Sequence, residues 1–98
     1  MITEKETQFA RHALGLTRGK IAYRNGFHAG GKDIDTGRSL EAKGMAVSFP
    51  PSELFPDVIF CITTKGFEAI KKRGEKLDRE ELERIKRLDQ KALAGASR

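Results

Sequence analysis

The residues best suited to chemistry are few: two histidines, His12 and His28, one cysteine, Cys61, and the stretch Gly26-Phe27-His28-Ala29-Gly30-Gly31-Lys32. That stretch fits GxxxxGK, a loop whose backbone amides cradle nucleotide phosphates. The next residue is Asp33, where such a loop needs a Ser or Thr hydroxyl for magnesium, and a carboxylate there would repel the phosphates. No apolar strand ending in an acidic metal partner accompanies it, so the expectation is a flexible glycine loop. His12 and His28 could act as general bases, but no Ser, Cys or carboxylate stands beside either at a recognisable spacing. His12 follows Phe9 by three positions and suits the edge of a core. Cys61 lies inside the apolar run Val58-Ile59-Phe60-Cys61-Ile62, where a thiol behaves as a small hydrophobe. As the sole cysteine it excludes an internal disulfide and a multi-cysteine zinc site. The expectation is a protein that is not an enzyme, with no catalytic residue, cofactor or metal.

Binding is the remaining chemistry, and charge is its first guide. The chain of 98 residues has a formal net charge of +5. Residues 1–37 carry six basic and four acidic groups, residues 38–71 four of each, and residues 72–98 nine and six, so the excess sits at the two ends. Residues 7–32 contain no carboxylate, yet hold Arg11, Arg18, Lys20, Arg24 and Lys32 together with both histidines. A field of that kind attracts a polyanion. Any DNA contact is expected to use Arg11, Arg18, Lys20, Arg24 and Lys32, with Arg38 from the next helix. A rival reading starts from Leu54 and Phe55, held between Pro50-Pro51 and Pro56. If exposed, they would form a preordered apolar anchor for a protein partner.

The elements that must position these residues can be read from spacing. Thr3 and Glu6 make a capping box, and Phe9, Ala10, Ala13 and Leu14 recur on one helical face, which predicts a helix over 4–14 closed by Gly15. Ile21 and Tyr23 alternate with Lys20, Ala22 and Arg24, which predicts a short strand. Asn25-Gly26 and Gly30-Gly31 then make the segment up to Lys32 a loop. Asp33, Asp35 and Thr36 offer N-caps for a second helix over about 35–43, stopped by Gly44. Ala46–Phe49 and Val58–Ile62 read as strands, joined by a proline-bound turn. Thr63 or Thr64 opens a third helix with Phe67, Ala69 and Ile70 facing the core, ending near Gly74. Asp78 and Glu81 again have capping-box spacing. Leu82, Ile85 and Leu88 then form a narrow apolar seam on a highly charged helix, free to dock on the domain, on a partner or on a second copy. From Ala94 the chain is expected to fray.

Four pieces in order look familiar: Ala10-Arg11-His12-Ala13-Leu14-Gly15-Leu16, Tyr23-Arg24-Asn25, Leu40-Glu41-Ala42-Lys43-Gly44-Met45 and Ile62-Thr63-Thr64-Lys65-Gly66. This order resembles small uncharacterised proteins encoded by bacteriophages and prophages, and the second half is similar to winged-helix regulators. The resemblance spans about residues 10–72. It implies an α+β, winged-helix-like domain over 1–76, with three helices and a short antiparallel hairpin; it does not extend to residues 77–98, whose own spacing reads as a charged amphipathic helix and tail. The chain departs from that pattern in showing one clear helix before the recognition position, and its wing turn carries Glu53 and Asp57 with no basic residue. The expected function is a non-enzymatic phage- or prophage-type binding module contacting DNA through its basic N-terminal segment. The alternative is an interaction or assembly component using Leu54, Phe55 and the seam Leu82, Ile85, Leu88. No apolar run approaches the roughly 18 residues a bilayer span needs, and the N-terminus lacks a secretory pattern, so a cytoplasmic location with no membrane partner is expected.

Overall fold

The computed structural model describes residues 2–96. Helix α1 (Glu4–Leu14) begins at the capping box the spacing predicts. The Thr3 Oγ1 accepts from the Glu6 amide at 3.1 Å, and Glu6 Oε1 accepts from the Thr3 amide at 2.8 Å. Gly15, at φ 76°, ends the helix in the left-handed region that a side chain would resist. Phe9, Ala10, Ala13 and Leu14 are buried, as their spacing requires.

Strand β1 (Ile21–Ala22) comes next, then β2 (Phe27–Ala29), which is the first departure from expectation. The stretch 26–32 is no flexible loop. Phe27, His28 and Ala29 pair antiparallel with Phe60, Ile59 and Val58, so the hairpin of β3 (Ala46–Phe49) and β4 (Val58–Ile62) gains a third strand in the order β2-β4-β3. The physical reason is long-range. The second edge of β4 needs donors and acceptors, and Phe27 stacks on Phe9 with ring centroids 4.0 Å apart. Helix α2 (Lys32–Ala42) starts three residues early, because Gly31, at φ 58°, turns the chain into it. Asp33 and Asp35 lie in its first turn, where they favour the helix dipole instead of capping it. Gly37 lets α2 lie against the sheet: a Cβ there would fall 2.5 Å from the Phe60 ring.

Residues opposite one another in the ladder share a face. Phe27, Phe60 and Ser48 look towards α1 and α2, and Phe60 meets Phe9 edge-on at 5.9 Å. Val47, Cys61, Phe49 and Ile59 look the other way, where helix α4 (Arg79–Ala96) packs on β3 and β4. That apolar sheet face, which α4 covers, explains the fate of the seam. Ile85 and Leu88 are buried in the common core, each contributing about 1.5–3 kcal/mol, and are closed to a partner. Leu82 remains half exposed. Helix α3 (Thr64–Ile70) is capped by Thr63 and stops at Ile70, short of Gly74, and its Ala69 faces solvent instead of the core. Strand β5 (Lys76–Leu77) pairs in parallel with β1, so the boundary expected between residues 76 and 77 falls inside a strand. The fraying expected from Ala94 is replaced by helix up to Ala96, and residues 97 and 98 lie outside the described residues. The architecture is a small α+β fold of four helices, a three-stranded antiparallel sheet and a parallel strand pair.

Candidate nucleic-acid interface

Two loops far apart in sequence are brought side by side by the β1–β5 pair. Ile21 stands opposite Lys76 and Ala22 opposite Leu77. The Lys76 amide donates to the Lys20 carbonyl and the Asp78 amide to the Ala22 carbonyl, both at 3.0 Å. Ala22 and Leu77 are buried, which fixes the register and leaves Lys20 and Lys76 at the surface. Lys20 lies over Gly74: a Cβ on that glycine would be 3.7 Å from the Lys20 Nζ.

Arg11 stitches the two loops from beneath. Its Nη2 donates to the Leu16 carbonyl at 3.2 Å, in the loop that leads to β1. Its Nη1 donates to the Ile70 carbonyl at 3.3 Å and to Glu75 Oε1 at 2.7 Å, in the loop that leads to β5. Glu75 also accepts from the Lys72 amide at 2.7 Å, closing the turn at Gly74. The Arg11 and Glu75 side chains are only 12% and 6% exposed. The hydrogen bonds from Arg11 hold the Glu75 carboxyl below the usual range against the opposing effect of burial, and those to Glu75 raise Arg11. Arg11 is therefore held in a largely buried ion pair instead of standing free at the surface. It was expected among the contacting residues because a buried partner 64 positions away has no local signature.

Above this pair the exposed side chains are almost all cationic. Stretches 17–20 and 71–76 contain Arg18, Lys20, Lys71, Lys72, Arg73 and Lys76, and their one carboxylate is the buried Glu75. Lys71 pairs with Glu68 at 3.0 Å. Arg18, Lys20, Lys72, Arg73 and Lys76 are exposed, and none of these five is in an ion pair among the described residues. Lys72, Arg73 and Lys76 were missed by the sequence reading. The run Lys-Lys-Arg-Gly-Glu-Lys at 71–76 is their signal, hidden because the charge count divides it between residues 38–71 and 72–98 and merges it with the mixed-charge helix that follows.

The other expected contact residues are spread out. Arg24 is exposed, donates from Nη2 to the His12 carbonyl at 2.8 Å and stands 5.7 Å from the Tyr23 ring centroid. Lys32 opens α2, away from the strand pair in the chain, and is exposed. Arg38 is on α2 and is shared between Glu41 and Ser48, each at 2.9 Å, with its guanidinium 5.5 Å from the Phe60 ring centroid. On the β3–β4 turn Leu54 is 85% exposed and Phe55 49%, with Phe55 edge-on to His28 at 5.6 Å.

Several other polar groups are engaged in packing and capping. His12 packs edge-on to Phe27 at 5.2 Å at the protein surface. Burial pushes the Cys61 thiol up to about 11, which leaves almost no thiolate near neutrality. Burial would raise Glu6, but hydrogen bonds from Lys43 at 2.6 Å, Ser39 at 2.7 Å and the Thr3 amide outweigh it and hold the carboxyl at about 2. Asp78 Oδ1 accepts from the Glu81 amide at 2.9 Å, but the reciprocal half of that capping box is absent. Glu81 Oε1 is buried without a partner, and desolvation raises this carboxyl. Among the described residues no three His, Cys, Asp or Glu side chains are grouped as a metal ion requires. No helix among them is long and apolar enough to cross a membrane. No protein-family model matches the chain, and neither does any curated protein or solved structure with which it was compared.

Proposed function

We propose that the chain is a non-enzymatic nucleic-acid-binding module of phage or prophage type, with a winged-helix-like part and a basic contact surface on the β1–β5 strand pair. The observation that carries this reading is that Arg18, Lys20, Lys72, Arg73 and Lys76, all exposed and outside the ion pairs, lie in the two stretches that the β1–β5 pairing joins, whose one carboxylate is buried under Arg11. Unpaired cations at one surface release counterions when phosphates replace them, which supplies affinity without base readout. The winged-helix-like reading is supported by the β3–β4 hairpin that comes after α2. The acidic turn of that hairpin argues for contact elsewhere, and the strand pair is where the cations gather. A DNA titration at a series of salt concentrations tests the reading. Log affinity should fall with log salt at a slope of about −3 to −4.5, as three to five displaced counterions require. Lys72→Glu with Arg73→Glu should weaken binding far more than Lys86→Glu with Arg87→Glu on α4. Absence of binding at low salt, or binding indifferent to salt, would refute it.

A second reading, an assembly component, is favoured by the exposure of Leu54 and Phe55 on one turn. It requires self-association or partner capture that Leu54→Ser with Phe55→Ser abolishes. A wild-type protein that sediments as a monomer and retains no partner counts against it.

A further inference from the structure

The segment of β1, which follows Arg18 and Lys20, also holds two large side chains the core does not use, Ile21 in the strand and Tyr23 just after it. Ala22 is fully buried, and the alternation of β1 turns its neighbours Ile21 and Tyr23 outward, at 48% and 58% exposure. Tyr23 is not a loose surface residue. Its ring lies on Gly15 at the end of α1, so closely that a Cβ there would fall 2.5 Å from the ring. The Arg24 guanidinium lies over the ring, 5.7 Å from its centroid, and donates to the His12 carbonyl, so a base that stacks on Tyr23 has to take the place of this guanidinium or stack on it in turn. The ring is thus positioned before any ligand arrives, and an ordered aromatic loses little freedom on binding. Lys20 and Arg24 flank it in sequence, and Lys76 faces the neighbouring Ile21 across the ladder. Asp78, beyond Lys76 and Leu77 along the ladder, is the carboxylate nearest in the pairing, and it is engaged with the Glu81 amide at the start of α4.

An exposed, immobilised aromatic ring set among unpaired cations matches one class of polyanion better than the others. A duplex keeps its base faces stacked inside and presents phosphates, sugars and groove edges, which leaves the ring no base face to stack on. Single strands offer bases whose faces stack on aromatic side chains while the backbone tracks a basic groove. We infer that the β1–β5 surface binds single-stranded nucleic acid, with Tyr23 as the base-stacking platform. This rests on the nucleic-acid reading above and adds the strandedness and the residue that selects it.

The chain has one tyrosine and no tryptophan, so its intrinsic fluorescence reports Tyr23 alone. The full chain is titrated with fluorescein-labelled oligothymidylate, with a duplex of equal length and with phosphatidylserine vesicles. Anisotropy or sedimentation reads affinity, and tyrosine emission, corrected for absorption, reads stacking. Oligothymidylate should bind more tightly than duplex and quench Tyr23 over the same concentration range. Tyr23→Ser should weaken the oligothymidylate complex roughly 5- to 150-fold, the range for one stacked base. Duplex binding should stay within about twofold and Tyr23→Phe should retain affinity, as a sequence-tolerant stacking contact requires. Salt-dependent binding of both nucleic acids without quenching, or an equal loss on both in Tyr23→Ser, overturns this inference and leaves the broader reading standing. Binding of neither nucleic acid, with or without capture by vesicles, overturns both. Quenching of the wild-type chain decides the matter even if Tyr23→Ser fails to fold.

Discussion

Arg11 and Glu75 separate a structural cation from a ligand-binding one. Replacing Arg11 by Met leaves the Glu75 carboxylate, 6% exposed, facing an apolar stem and removes the tether between the loops at Leu16 and Ile70. Removing one partner of a buried pair costs about 3–5 kcal/mol. At about 4–8 °C per kcal/mol for a domain of this size, the melting temperature should fall by roughly 12–40 °C. Glu75→Leu should cost a similar amount, because it strands the guanidinium and also frees the Lys72 amide. The double variant Arg11→Met, Glu75→Leu removes both charges together, and apolar replacement of a buried pair is often close to neutral. Urea unfolding monitored by circular dichroism should therefore give a double-variant cost far below the sum of the two singles, about 6–10 kcal/mol, and the shortfall is the coupling between the two sites. Single-variant costs that simply add would refute the buried-pair account. The double variant then tests the interface. If Arg11 only braces the loops, the salt dependence of nucleic-acid binding is unchanged; if it touches phosphate, the slope shrinks by about 0.9.

Other residues give equally direct tests. Asn25 is buried and bridges the Ile62 backbone, accepting from its amide at 2.6 Å and donating to its carbonyl at 2.8 Å. Asn25→Leu leaves both groups unsatisfied and should cost about 2–5 kcal/mol by urea unfolding, whereas a loss under about 1 kcal/mol would show that the bridge is dispensable. Glu6 has a folded-state pKa of about 2, below its unfolded value of roughly 4.3. Its contribution is thus fully present above about pH 4.3 and is lost as pH falls towards 2. It amounts to at most about 3 kcal/mol. Glu6→Gln should destabilise the protein at neutral pH and differ little from the wild type near pH 2; an equal loss at both pH values would sink the assignment.

How far the sequence reached depends on the range of the interactions concerned. Helix α1, its Thr3–Glu6 box and its Gly15 stop were legible because each rests on contacts three to five residues apart. Strands β3 and β4 were legible because β-branched and aromatic runs bounded by prolines have few alternatives. Strand β2 was not, since Phe27 and Ala29 sit among glycines and pair only with a strand some thirty residues later. The candidate site was half legible. Arg18 and Lys20 were read from a carboxylate-free stretch, while Lys72, Arg73 and Lys76 gained meaning only when β5 came to lie beside β1.

By itself the sequence determined the local elements, the excess of cations at both ends and the absence of the hydroxyl a phosphate loop needs after Lys32. Those properties depend on side-chain type and short spacing. The tertiary structure alone decided which charges are free. It buried Arg11 on Glu75, tied Arg38 to Ser48 of the neighbouring strand, drew Ile85 and Leu88 into the core, and left the Tyr23 ring outside against Gly15. A charge becomes a ligand contact only where no folded partner neutralises it. Which partner it meets is set by a register of buried residues, here Ala22 beside Leu77, that no local pattern encodes.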